Sequence, residues 1–386
     1  AQQVNLSGQA FSTITIEKDT GGIAFADGFK AAFLDAHGTD AMTLVFAAGK
    51  TVDATRLVLR GERKGGVPTL LLRSSSEGTP WKLKSGTAQF ITGVDVKDSD
   101  ASAGVWALTD FTSIDSHNNT HWDFGAGGVT NAQWIGTSGS FATAANWSTG
   151  EVPDENTRVF IRAGDGETKT VTASAAISVH DLILQGEGTG VATFESATTA
   201  MHQIGGDLAV NFGGKMTHTA LSTTAKTFAD ECYKLNLQVD GNVTIAADGT
   251  IDVTSRGFFG TVTLPGSVTA NGSHGGTRAV GGCYDSLIAP TNCGSCTVDP
   301  SGGTRYSGGG VVRIDAKGAI IVNGSIVASS KAGTGYGSGA GGSGWLTCSD
   351  LQGSGMISVQ GGDDNYGSAG AGGRLAVWLT AAKDFD

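Results

Sequence analysis

The stretch from Gly302 to Leu379 constrains this chain more than any other, because glycine runs alternate in it with short apolar strands. Gly308-Gly-Gly-Val-Val-Arg-Ile-Asp-Ala leads into Gly324-Ser-Ile-Val-Ala. Gly341-Gly-Ser-Gly-Trp-Leu-Thr-Cys leads into Gly355-Met-Ile-Ser-Val, and a last run ends in Gly372-Gly-Arg-Leu-Ala-Val-Trp-Leu. The starts at Gly308, Gly341 and Gly372 lie 33 and 31 residues apart, a spacing that belongs to stacked repeat units. Glycine makes up 61 of 386 residues, roughly double ordinary usage, and its company of Thr, Ser, Val and Ile favours strands and tight turns over helices. We read the stretch as a β-solenoid in which each glycine run joins successive rungs.

Gly249-Thr-Ile-Asp-Val, Gly324-Ser-Ile-Val-Ala and Gly355-Met-Ile-Ser-Val share one pattern. Each has glycine at a turn and then apolar residues two apart, which point to one face of a strand. Stacking such rungs sets each Ile above the next. The glycine runs bury no apolar area to offset their ordering entropy. They therefore either protrude or pack on one another through backbone hydrogen bonds. The cysteines beside them favour the second arrangement, with part of the region ordered as a contact surface.

Upstream, strand-like runs recur every 15 to 25 residues, at Phe11-Ser-Thr-Ile-Thr-Ile, Met42-Thr-Leu-Val-Phe, Val52-Asp-Ala-Thr-Arg-Leu-Val-Leu, Pro68-Thr-Leu-Leu-Leu and Thr87-Ala-Gln-Phe-Ile. One segment, Gly28-Phe-Lys-Ala-Ala-Phe-Leu-Asp-Ala-His, predicts a short helix ending before Gly38.

Three motifs carry a resemblance. Arg73-Ser-Ser-Ser-Glu-Gly-Thr-Pro-Trp81, Val94-Asp-Val-Lys-Asp-Ser-Asp-Ala101 and Asn118-Asn-Thr-His-Trp-Asp-Phe124 resemble a segment of large repetitive bacterial cell-surface, adhesin-like proteins. There the pattern looks like a rung, a strand end and the cap of a right-handed parallel β-helix. A second opening, Trp134-Ile-Gly, then Asn146-Trp147-Ser-Thr-Gly-Glu-Val-Pro153, resembles the first rungs of β-helical units in the same kind of protein. The resemblance covers about residues 40 to 386 and implies a fold and a location more than an activity. The expected fold class is all-β, a right-handed parallel β-helix, with a β-sandwich as the alternative. Gly125–Asn131 reads as a break between a segment 1–125 and a second segment 126–386, whose glycine-rich loops span 266–374.

The net charge of −11 argues against a nucleic-acid partner, which needs a clustered basic surface. No stretch approaches the ~20 apolar residues of a membrane span, so membrane insertion is not expected. The chain carries no signal peptide. Ala1-Gln-Gln reads either as a mature N-terminus after its removal or as the edge of a fragment. The location expected is extracellular, at a cell surface.

Candidate sites are few. Asp95, Asp98 and Asp100, and the loop pair Asp363 and Asp364, offer hard oxygen ligands for calcium, though Asp and Ser also simply favour turns. Cys283, Cys293, Cys296 and Cys348 are disulfide candidates for an oxidising compartment; a zinc site is the other reading of the same four. Trp345 and Trp378 are candidates for stacking on sugar rings. No catalytic residue is nominated. Gly337-Ser338-Gly339 lies in low-complexity glycine and lacks the strand-to-helix context of a nucleophile elbow. The function expected is that of a non-enzymatic structural or adhesive protein, a filament or matrix subunit that self-associates head-to-tail or laterally. The alternative is a β-helix that binds or cleaves a cell-surface polysaccharide.

Overall fold

A computed structural model describes all residues except 1, 7, 105, 110–111, 125–128, 222–232, 260–261, 264–268, 271, 277–281, 297–306, 332–337, 364–368 and 382–386. The fold is all-β with parallel sheets. Two short antiparallel hairpins, Arg63–Lys64 with Val67–Pro68 and Val262–Thr263 with Thr269–Ala270, are the exceptions among the described residues. The chain forms two compact units. One comprises Ala1–Trp134 and Asn156–Phe160, the other Ile135–Glu155 and Ile161–Asp386.

In the first unit the chain alternates between two six-stranded sheets. One runs Gln2–Val4, Gly21–Phe25, Met42–Phe46, Leu70–Ser74, Val94–Val96, Ile114–Asp115. The other runs Ala10–Lys18, Phe29–Gly38, Thr51–Gly61, Trp81–Thr92, Ser99–Asp100, Asn119–Thr120. Between them lies an aromatic column: Phe25 stacks on Phe46 at 5.4 Å, Phe46 on Trp81 at 4.1 Å, and Trp81 meets Trp122 edge-on at 6.5 Å. The motifs that carry the resemblance close this unit on one another. Asn118 Nδ2 donates to Asp98 Oδ1 at 2.6 Å, and Trp122 Nε1 to Ser99 Oγ at 2.9 Å.

The helix expected over 28–37 is a strand, Phe29–Gly38. Its Ala, Leu and Lys are good helix formers, but isolated helices that short are marginal in water. A strand on each side offers a full ladder instead: Ile14 and Leu57 flank Leu34, and Ile16 and Leu59 flank Ala36. Tertiary pairing overrides propensity here.

In the second unit the chain visits three sheets in cyclic order. The first contains Asp181–Gly186, Leu208–Val210, Val243–Ile245, Ala319–Val322 and Asp350–Gln352. The second contains Thr168–Ala173, Val191–Ser196, Gly214–His218, Thr250–Asp252, Ser325–Val327 and Met356–Ser358. The third contains Ser178–Val179, His202–Ile204, Leu235–Val239, Val311–Ala316, Ser343–Cys348 and Arg374–Leu379. The three aligned glycine motifs fall on neighbouring strands of the second sheet, with Ile251, Ile326 and Ile357 in register. Gly308, Gly341 and Gly372 precede neighbouring strands of the third, with Val311, Ser343 and Arg374 in register.

The described glycine segments pack on one another. Gly309 N donates to Ala340 O at 2.8 Å, Gly341 N to Ala371 O at 2.9 Å, and Gly294 N to Gly309 O at 2.9 Å. At the turn into the first sheet a side-chain ladder replaces them. Asp181 Oδ1 accepts from Asp207 N, Asp207 Oδ1 from Asn242 N (both 2.7 Å), and Asn242 Oδ1 from Ala319 N at 2.9 Å. The residue before each donor is Gly206, Gly241 or Gly318. A Cβ on Gly206 or Gly241 would lie 2.2 Å from that ladder oxygen, and on Gly318 2.6 Å.

Two histidines enter this core uncharged. His202 Nδ1 accepts from Ile177 N at 3.2 Å, and Nε2 faces Ser196 Oγ at 2.9 Å. His218 Nε2 accepts from Val311 N at 3.0 Å, while Nδ1 faces Thr219 O at 3.0 Å. Desolvation lowers both, from 6.5 to about 4. The unfolded chain therefore binds protons that the folded one refuses. Stability is complete above pH ~6.5 and declines as pH falls to about 4, by up to roughly 3 kcal/mol per histidine. Urea unfolding between pH 7 and 4 should show this slope, and His218→Gln should remove about half of it.

Candidate functional site

The outward face of the third sheet is the most chemically varied surface of the second unit. Strand alternation puts Leu237, Ile314 and Leu346 inward, with none of their surface exposed. Their neighbours therefore face outward. Parallel register arranges these in two rows. Asn236, Arg313, Trp345 and Ala376 form one; Gln238, Asp315, Thr347 and Trp378 form the other. The Arg313 guanidinium carbon lies 4.3 Å from the centroid of the Trp345 ring. The nearest oxygen of Asp315 is 3.9 Å from Arg313 Nη2, beyond hydrogen-bond reach. Asn236 Oδ1 and Trp345 Nε1 are shielded from solvent and have no hydrogen-bond partner. Trp378 is 47 % exposed, and its Nε1 donates to Ile288 O at 2.8 Å.

Ile288 belongs to a segment that a buried carboxylate ties to this sheet. Asp285 Oδ2 accepts from Thr291 N and Asn292 N (both 2.9 Å), and it faces Ser343 Oγ at 3.1 Å and His274 Nε2 at 3.3 Å. Asp285 Oδ1 accepts from Ser286 N at 2.8 Å and Asn292 Nδ2 at 3.1 Å. Burial alone would raise this carboxyl, but the hydrogen bonds from His274 and the backbone outweigh it and hold it well below 3.8. Tyr284 is pushed up by burial and stays a neutral donor, its hydroxyl 2.6 Å from Cys293 O. Arg374 Nε fixes the same segment by donating to Tyr284 O at 2.8 Å. His274, Asp285 and Ser343 do not form a nucleophile relay. The carboxylate stands in the middle, His274 Nδ1 is taken up by Gly341 O at 2.8 Å, and Ser343 Oγ donates to Asn292 O at 2.6 Å. The trio is a clamp.

The calcium candidates are engaged separately. Asp95 pairs with Arg73 at 2.9 Å. Asp98 holds Asn118, whose hydrogen bond lowers its carboxyl below the ordinary range. Asp100 caps its own turn by accepting from Ser102 N at 3.0 Å. Asp363 is exposed in its loop, with its carbonyl accepting from Ser338 Oγ at 2.7 Å, and Asp364 lies outside the described residues. Among the described residues no three His, Cys, Asp or Glu side chains gather as a metal group.

The expected disulfide framework is corrected. Of the four candidates, Cys283, Cys296 and Cys348 form no disulfide, whereas Cys293 is disulfide-bonded, to none of the other three. Cys348 ends a strand of the third sheet, buried, with Leu379 as its partner across the ladder. A disulfide needs a second cysteine within about 7 Å between Cα atoms, and that strand neighbour is not one. Exposed Cys283 instead donates to Gly275 O at 3.5 Å.

The two nominated tryptophans lie in adjacent rows of one face. Asn236, Arg313 and Asp285 were not nominated. Leu235-Asn-Leu-Gln-Val and Val311-Val-Arg-Ile-Asp do mark Asn236 and Arg313 as outward by alternation. That these strands are neighbours, with more than seventy residues between them, is written in no local pattern.

Comparison with known proteins finds no matching family model, curated protein or solved structure. Any functional reading therefore rests on the chain's own geometry.

Asp285→Asn should loosen the segment over the sheet, at a cost of about 2–4 kcal/mol. Limited proteolysis should then cut within 284–292. Because the folded carboxyl is held below its ordinary value, its contribution is present above pH ~3.8 and lost as pH falls below it. The parent protein should become cleavable there only under such acid conditions.

Proposed function

We propose that the protein is a non-enzymatic extracellular structural or adhesive protein of a bacterial surface. In this reading it is built as a right-handed parallel β-helix and self-associates end to end. The connections support the right-handed reading. Each strand returns to its own sheet as a parallel neighbour, and such crossovers are right-handed in nearly all folds.

One observation supports assembly above the others: among the described residues, the inward apolar rows of the second unit end in side chains that are only half-buried. Ile320, Ile326, Leu346 and Cys348 are at most 2 % exposed. Their ladder neighbours one coil on are Leu351, Ile357, Val377 and Leu379, all only half-buried. Inward-facing Leu375 is 41 % exposed. Among the described residues, Asp350–Gln352, Met356–Ser358 and Arg374–Leu379 are each the last strand of their sheet. Soluble folds blunt such edges because they template pairing with another chain. At the start of the unit, by contrast, Phe141 and Trp147 pack edge-to-face at 5.0 Å, at most 4 % exposed.

A second copy offers a matching surface. Gln2–Val4 and Ala10–Lys18 are edge strands of the first unit, and Val4, Leu6 and Ile14 are only partly buried there. Joining unlike ends gives a heterologous contact that propagates as a filament. The resemblance to repetitive surface proteins agrees with this reading.

Sedimentation velocity and negative-stain electron microscopy from low to high micromolar concentration test it. Lengthening particles are expected, and Val377→Glu should abolish them while circular dichroism stays unchanged. Short monomers at every concentration would defeat the assembly reading.

A further inference from the structure

We propose that Asn242 is a modification site, the acceptor of an N-linked glycan transferred from a diphosphate-activated sugar. The inference is independent of the assembly and the location proposed above.

The triplet Asn-x-Ser/Thr occurs six times, at Asn5, Asn118, Asn146, Asn242, Asn271 and Asn323. It is the acceptor signature for N-glycosylation, but composition alone produces many such triplets. What separates them is whether the fold already employs the amide and the hydroxyl. Asn118 Nδ2 donates to Asp98 Oδ1 at 2.6 Å and to Gly78 O at 3.4 Å. Ser325, which completes the triplet of Asn323, shares a hydrogen bond with Thr250 between hydroxyls 3.1 Å apart. Asn146 is half-buried, and Ser7 and Asn271 lie outside the described residues.

Asn242 and Thr244 are different. Register places Asp181, Asp207 and Asn242 at one corner of neighbouring strands, each just before Leu182, Leu208 and Val243. All three use a side-chain oxygen in the same way, to accept the backbone N–H of the next strand's corner. Asp181 and Asp207 do so as carboxylates. Asn242 brings in addition an amide nitrogen with two donor hydrogens. Among the described residues that nitrogen donates to nothing, and Asn242 is exposed. Val243 and Ile245 are fully buried, so Thr244 between them points outward, flanked by Ala209 and Ile321. Its hydroxyl also makes no hydrogen bond among the described residues. The two groups that an N-glycosylation acceptor must present are the two that this corner leaves unused.

Asp240 adds a third feature, because no other of the six asparagines has an acid two residues before it. Its carboxylate is 2.9 Å from Lys317 Nζ, and both side chains are well exposed. A surface pair of this kind contributes little, so the carboxylate can serve as an ionic handle for a transferase.

The step balances without oxidant or reductant. A bond forms between Asn242 Nδ2 and C1 of the first sugar, while the bond from that C1 to the diphosphate oxygen breaks. The diphosphate leaves with the electron pair, and one Nδ2 proton passes to a base of the transferase. The ladder survives the change, since a substituted Nδ2 leaves Oδ1 to accept from Ala319 N. That partner strand, Ala319–Val322, comes far later in the chain, so the enzyme can reach the acceptor before the ladder closes over it. Exposed Asp207 and Lys317 are its neighbours at the corner, with no bulky apolar group among them.

The test is peptide mapping by mass spectrometry of the full chain purified from its native cells. The peptide containing Asn242 should carry sugar on the asparagine. A single hexose would mark a nucleotide diphosphate donor and a preassembled oligosaccharide a lipid diphosphate donor; either supports the assignment. In the same cells Thr244→Val should abolish the modification, and Asp240→Asn should lower its occupancy several-fold. Asn242→Gln is avoided as the main probe because it also disturbs the ladder. Near-ultraviolet circular dichroism of Thr244→Val should match the parent, since Val keeps the β-branched shape and the lost hydroxyl bonded nothing. An unmodified Asn242 overturns the assignment. So does a sugar found on Thr244 instead, or one that persists on Asn242 in Thr244→Val.

Discussion

The parallel ladder between a strand and its neighbour in the same sheet is the interaction on which the rest of this structure depends. A single three-residue strand such as Thr250–Asp252 has no stability of its own. Between Gly214–His218 and Ser325–Val327 it becomes part of a continuous row in which Met216, Ile251 and Ile326 stack inward. Each such side chain contributes about 1.5–3 kcal/mol when fully buried. Among the described residues the rows end at Ile357, Val377 and Leu379, which are only half-buried.

Glycine lets these ladders turn corners and lie flat. At Gly206 and Gly241 the space a Cβ would take is held by an oxygen of the preceding coil. At Gly310 it is held by His218 Nε2, at 2.1 Å. The entropic cost of ordering so much glycine is offset by backbone hydrogen bonds between the runs themselves, with little apolar burial to help. This is why a stretch of low-complexity composition is a packed layer over much of its length.

Polar groups inside the second unit are matched with the same economy. His202 and His218 remain neutral because burial penalises the charged form, and each accepts a backbone N–H on one ring nitrogen. Asp285 remains charged because donors from His274, Ser286, Thr291 and Asn292 surround it.

By itself the sequence determined the strand class, the two-residue alternation, the 33- and 31-residue recurrence and the inward Ile row at 251, 326 and 357. These properties are local or periodic, so composition and spacing carry them. It misread 28–37, where helix propensity pointed one way and ladders on both sides pulled the other. It marked Trp345 and Trp378, yet not Asn236 or Arg313, because a polar residue at an outward strand position looks like any solvated one. Only the tertiary structure decided which outward residues stand side by side. Asn236 meets Arg313 across an excursion of more than seventy residues, and Cys348 meets Leu379 in place of a cysteine. Register between coils is a long-range hydrogen-bonding choice, and loops of any length can close it.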